Sequence, residues 1–171
     1  MSELSPRIWL GCLAAYNNGT LHGKWLDAEQ DPEDLLEEAH EMLKKSPAAP
    51  FAEEWSIFDY EDFGGIKVYE GEDFGNISKW AAGIVKYGLP YALWVVHLDE
   101  DDHDPDCFSD HYYGHYKSMA DFGRDYYAEH QESAIPEVLR SHIDWEGYAK
   151  DLLHGEFYAV EVASGDVYIF N

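Results

Sequence analysis

Apolar residues recur along this chain with two periods, and the change from one to the other separates its elements. Residues 8–15 (IWLGCLAA) form a nearly unbroken apolar run of strand length, and 21–27 (LHGKWLD) form a second. Between them lies Tyr16-Asn17-Asn18-Gly19, whose Asn and Gly residues tolerate positive φ, so the two runs read as an antiparallel hairpin. The period then becomes helical. Asp31 caps, Pro32 suits a first turn, and Glu33 and Asp34 favour the positive end of the helix dipole. Leu35, Leu36, Ala39, Met42 and Leu43 form the apolar stripe, with Glu33, Asp34, Glu37, Glu38 and Glu41 away from it. Lys44 and Lys45 close the helix, the stretch 46–50 (SPAAP) stops it, and 55–60 (WSIFDY) read as a third strand.

Residues 61–75, rich in Gly and acids, read as loop or short turns. The spacing predicts a helix over 76–87 with Ile77, Trp80, Ala81, Ile84 and Val85 inward, broken by Gly88 and Pro90. Residues 91–98 (YALWVVHL) fit a buried helix or a strand, since so short an apolar run carries no usable period. The acidic loop 99–106 (DEDDHDPD) marks a boundary. Beyond it, 105–113 read as a short helix. Ser118 and Asp121 resemble a capping box opening a helix over 119–130. Ile135-Pro136 starts a short turn. Asp144 caps a helix over 145–153 with Tyr148, Leu152 and Leu153 inward, and 156–162 with 166–170 form a hairpin around Ser164-Gly165-Asp166. The class is α+β, in three small modules: an N-terminal α/β module over 1–60, a mostly helical one over 61–103 and a C-terminal α+β module over 104–171.

Composition sharpens the picture through charge. The 171 residues are 46% hydrophobic and 16% aromatic, enough to build a core, yet 35 Asp and Glu face 11 Lys and Arg for a net charge of -24. The three stretches carry -8, -6 and -10, so the charge is not a disordered acidic tail but is spread over folded sequence. Direct contact with nucleic-acid phosphates, which requires clustered Lys and Arg, is excluded, as is an anionic membrane surface. No apolar run approaches the ~20 residues of a bilayer span, the N-terminus lacks a signal-peptide pattern, and two cysteines make no disulfide framework. The expectation is a cytoplasmic protein.

Enzyme chemistry finds little support. Read as a calcium loop from Asp102, Asp104 and Asp106 fall correctly, but Cys107 stands at the required Gly and Tyr113 at the final Glu. His111 and His115 have zinc spacing without the accompanying Glu, and Gly114 interrupts a helix there. There is no G-x-S-x-G elbow and no phosphate loop. No catalytic residue, metal or cofactor is expected, and the tryptophans read as core. A metal-dependent enzyme on the 99–106 loop is the weaker alternative.

Several segments, in order, resemble the ArdA family of antirestriction proteins. They are Ile8-Trp9-Leu10-Gly11, Tyr16-Asn17-Asn18-Gly19, Gly23-Lys24-Trp25-Leu26, and Phe58-Asp59-Tyr60-Glu61-Asp62-Phe63-Gly64. Later come Tyr113-Gly114-His115-Tyr116-Lys117-Ser118 with Asp121-Phe122, Ile135-Pro136, Ile143-Asp144 and the terminal hairpin from Tyr158 to Phe170. The sequence departs from the pattern in 99–111. The resemblance implies an elongated homodimer, joined through the C-terminal module, whose carboxylates imitate B-form DNA. It would occupy the DNA groove of a type I restriction–modification enzyme. Two copies at -24 each would match roughly 80 Å of duplex at ~1.7 Å per charge. A compact 171-residue sphere, with a radius of gyration of only ~16 Å, could not reach that length. The expected partner-facing acids are Glu33, Asp34, Glu37, Glu38 and Glu41, then Asp62, Glu70, Glu72 and Asp73, then Asp121, Asp125 and Glu129. The alternative target is another protein with a basic DNA groove.

Overall fold

The computed structural model describes residues 4–97, 103–130 and 135–171. Contacts divide the chain into two units, with the division between Cys107 and Phe108.

The first unit opens with strand β1 (Arg7–Cys12). The strand expected to reach residue 15 stops early because the Cys12 Sγ accepts the Ala15 N–H at 3.5 Å, capping one helical turn, α1 (Leu13–Asn17), that buries Ala15. Strand β2 (Gly23–Asp27) returns antiparallel to β1, and β3 (Trp55–Glu61) pairs antiparallel on the other side, giving the order β2-β1-β3. Ile8 and Leu10 alternate onto one face and, with their register partners Leu26 and Ile57, are buried. Helix α2 (Pro32–Lys44) contacts β1 and β2 and buries Leu35, Ala39, Met42 and Leu43. Asp31 holds the N-cap position but makes no side-chain cap bond, and Leu36, expected inward, is 40% exposed.

Helix α3 (Phe74–Tyr87) starts two residues earlier than its spacing suggests, because the Asp73 carboxylate accepts the Gly75 N–H at 2.8 Å and caps it there. Ile77, Ala81 and Ile84 are buried as expected; Trp80 is half-buried and Val85 exposed. The ambiguous apolar run is helix α4 (Leu89–His97), with Pro90 in the first turn, where its missing N–H is harmless. Tyr91, Ala92, Leu93 and Trp94 are all buried, which is why no one-sided period showed. A Cβ on Gly83 would lie 2.2 Å from the Tyr91 ring, so glycine is what lets α3 and α4 approach.

The second unit runs α5 (Phe108–His111), β4 (Tyr112–Tyr116), α6 (Met119–His130), α7 (Glu137–Arg140), α8 (Trp145–Leu152), β5 (Tyr158–Glu161) and β6 (Val167–Phe170). The helix expected over 105–113 is one turn, and the chain from Tyr112 onward is a strand instead. Its partner is β6, with Tyr112 opposite Phe170 and Tyr116 opposite Val167, a pairing set by residues more than fifty positions away. The sheet order is β4-β6-β5, antiparallel, and all four residues of the central β6 are buried. One half of the capping box forms: the Ser118 hydroxyl accepts the Asp121 N–H at 3.2 Å, while the Asp121 carboxylate accepts that same hydroxyl at 2.8 Å. The Asp144 carboxylate caps α8 through the Gly147 N–H at 2.9 Å. Ala149, rather than Tyr148, Leu152 and Leu153, is the fully buried position of α8. It joins Phe122, Val167 and Ile169 in a core ringed by Tyr113, Tyr116, Tyr126 and Phe157. A Cβ on Gly123 would lie 2.5 Å from the Trp145 carbonyl, so this glycine sets the α6–α8 approach. Helices together with small antiparallel sheets make the class α+β. Among the described residues, no helix is long and apolar enough to cross a membrane.

Candidate carboxylate surface

The acids of α2 lie where its apolar stripe leaves them. Burying Leu35, Met42 and Leu43 contributes about 1.5–3 kcal/mol each. Like charges four apart, such as Glu33 with Glu37 and Glu37 with Glu41, cost only ~0.2–0.5 kcal/mol per pair. Burial therefore holds the helix and tolerates the charged face. Glu33, Asp34, Glu37 and Glu41 are exposed; Asp34, Glu37, Glu38 and Glu41 line a shallow concavity with Gln30. Lys45 pairs with Glu41 at 3.4 Å. Glu38 is half-buried and takes the Lys24 ammonium as partner, whose hydrogen bond holds its carboxyl below the usual range. Five carboxylates from 33 to 41 occupy about 12 Å of helix axis, one per ~2.4 Å, against ~1.7 Å for duplex DNA.

A second cluster assembles from distant sequence. Glu33 at the start of α2 meets Glu70, Glu72 and Asp73 around a groove whose apolar lining includes Leu36, Trp55, Ile57 and Phe74. The Trp55 and Phe74 rings are parallel, 7° apart in plane and 6.1 Å between centroids. Asp73 is occupied as the α3 cap, and Glu72 accepts the Asn76 amide at 2.9 Å. Among the described residues, the Glu33 and Glu70 carboxylates have no hydrogen-bonding or ionic partner, and no Lys or Arg lines the groove. Asp62 is not part of this groove. It sits exposed just after β3 with φ 62°, a left-handed conformation that Asp tolerates, with its carboxylate 3.4 Å from the Ser5 N–H.

On α6 the acids are engaged. Asp121 is half-buried, bonded to Ser118 and paired with Arg124 at 2.8 Å. Glu129 accepts the Tyr113 hydroxyl at 3.1 Å. Asp125 stands beside Tyr116, whose phenol is pushed up to about 12 by burial and then by the Asp125 and Glu129 carboxylates. Burial likewise raises Tyr113, with Glu129 adding to it, and lifts Tyr112 to about 12. Sequence reasoning placed these acids on the helix surface but missed their tyrosine partners, since the helix read over 105–113 covers the start of β4 and no strand was read over Tyr113 to Tyr116.

Of the acidic loop 99–106, residues 99–102 lie outside the described residues; Asp106 pairs with Lys86 at 3.0 Å. Among the described residues, no group of three or more His, Cys, Asp or Glu side chains is arranged to hold a metal ion. Among the described residues the cations are largely paired with acids: Arg7, Lys24, Lys45, Lys86, Lys117, Arg124 and Lys150 are all in ion pairs. The groove floor of Trp55 and Phe74 was also missed. Glu33 and Glu70 are too far apart in sequence for any local pattern to join them.

No curated protein matches the chain. The family model of the antirestriction protein ArdA, by contrast, matches residues 8–165, nearly the full length over which the two units and their acidic faces were described, and the chain belongs to that family.

Proposed function

We propose that this antirestriction protein acts as a DNA mimic that fills the DNA-binding groove of a type I restriction–modification enzyme. Its carboxylates meet the Lys and Arg side chains that otherwise hold phosphate, and no bond is made or broken. The observation that carries this reading is the α2 face, where carboxylates stand on a rigid helix at a linear density close to that of a duplex. In this reading the chain is built of three modules, over 1–60, 61–103 and 104–171, and pairs with a second copy through the C-terminal one. The assembly works in the cytoplasm of the host.

Glu33, Asp34, Glu37 and Glu41 supply the most available charge, with Glu38, Asp62, Glu70, Glu72 and Asp73 extending it. Asp121, Asp125 and Glu129 contribute from α6. Many weak contacts share the load, because a single exposed ion pair is worth only ~0.2–1 kcal/mol. Electrostatics also sets the association rate, so inhibition weakens with salt.

The test is displacement. A type I methyltransferase core carrying a fluorescent target duplex is titrated with this protein at low and high salt. Release of the duplex near stoichiometry, with weaker release at high salt, is the expected result. Retention of the duplex at large excess of the protein overturns the reading.

A further inference from the structure

The groove between the start of α2 and the start of α3 differs from a row of phosphates in one respect: its floor is aromatic. We propose that it receives an arginine side chain of the protein partner, with the guanidinium over the Trp55–Phe74 floor and paired with Glu33 and Glu70. The proposal rests on the partner being a protein with basic residues facing these carboxylates, as in the function proposed above.

Three observations select arginine. Two carboxylates on the rim, Glu33 and Glu70, have no partner among the described residues, and no cation of the chain lines the groove. A positive group is therefore attracted, while an apolar segment would strip water from the acids without satisfying them. The floor offers half-buried aromatic rings, Trp55 and Phe74, beside the exposed Leu36. A guanidinium is planar and weakly hydrated, so it stacks on such rings while its fork of N–H donors reaches carboxylates; an ammonium keeps its water and has no plane to stack. A metal ion would find no ligand in the aromatic floor.

The groove thus differs in kind from the outer face of α2. There, Asp34, Glu37 and Glu41 present charge alone, and any cation serves. In the groove, stacking adds a short-range contact that depends on the shape of the cation as well as its charge.

The experiment uses the isotope-labelled full chain and two blocked peptides, acetyl-Gly-Arg-Gly-amide and its Lys counterpart, followed by NMR. The Trp55 indole signal and the backbone amides of residues 70–75 should shift saturably. The arginine peptide should bind there about threefold tighter or more, the factor expected of stacking on an aromatic face. The amides around Glu37 and Glu41 should respond equally to both peptides. Glu33→Gln with Glu70→Gln should abolish saturable binding at the groove. Trp55→Ala should remove the arginine preference, and Phe74→Leu serves the same purpose if that variant does not fold. Equal affinity of the two peptides at the groove, or shifts spread evenly over every acidic face, overturns the proposal. No restriction enzyme enters this titration. An arginine preference with no duplex displacement refutes the restriction target alone, and displacement without the preference refutes the groove alone.

Discussion

Helices α2 and α6 both carry acids at helical spacing on a face turned from an apolar stripe, yet they use them differently. On α2, Glu33, Asp34 and Glu37 point to solvent with no partner among the described residues, and only Glu38 and Glu41 meet a lysine. On α6, Asp121 accepts the Ser118 hydroxyl and pairs with Arg124, Asp125 stands beside Tyr116, and Glu129 accepts the Tyr113 hydroxyl. The same residue type at the same spacing is presented charge in one helix and internal wiring in the other. What decides is the neighbouring element: over α2, Lys24 reaches only Glu38, and among the described residues no side chain bonds Glu33, Asp34 or Glu37, whereas β4 sets tyrosines against α6. An acid count therefore overstates how much of this surface a partner can use.

The largest expected effect tests whether apolar burial, not charge, holds α6 in place. Phe122→Ala should destabilise the protein by about 3–5 kcal/mol, read by chemical denaturation. A loss under about 1 kcal/mol would mean that the tyrosine and acid contacts carry the helix. Alkaline pH comes next. Tyr112 and Tyr116 are held neutral, with folded values of about 12 against an ordinary 10.0. Their contribution is complete below pH 10 and is lost as pH rises from 10 to 12. Circular dichroism alongside phenolate absorbance should show α6 and its sheet loosening in that window.

A third test separates the two helices by function. Glu33→Gln, Asp34→Asn, Glu37→Gln and Glu41→Gln together should weaken duplex displacement on the order of 100-fold at low salt, while the melting temperature holds or rises. Asp125→Asn with Glu129→Gln should weaken displacement far less. If the two sets weaken it equally, the distinction between the helices fails. The smallest effects are single changes. Asp121→Ala should cost about 1 kcal/mol of stability by removing its carboxylate's bonds to Ser118 and Arg124, whereas Asp34→Ala should stay within about 0.5 kcal/mol. Thermal melts of the two variants decide this.

Legibility in the sequence followed the range of the interactions. Helix α2, the strands β1 to β3 and the terminal hairpin were readable because their stripes, caps and turns are local. Leu36 was misplaced because it shares the stripe of Leu35 and Ala39 but lies over the open groove, not over the sheet. Strand β4 was missed because its pairing with β6 comes from the far end of the chain, and nothing in Tyr112–Tyr116 alternates cleanly. The acids of α2 could be placed off its apolar stripe from periodicity alone. The groove could not, since joining Glu33 to Glu70 across Trp55 and Phe74 is a tertiary fact.

The main chain at Glu70 also guards the protein against its own kind. Strand β3 lies at the rim of its sheet, and a rim strand offers unpaired N–H groups on which a foreign strand can template. Here the Glu70 carbonyl takes the outward Ile57 N–H at 3.0 Å and the Ser56 hydroxyl at 3.0 Å. The loop that carries Glu70 into the groove therefore blocks, midway along β3, the hydrogen-bonding track that fibril growth would need.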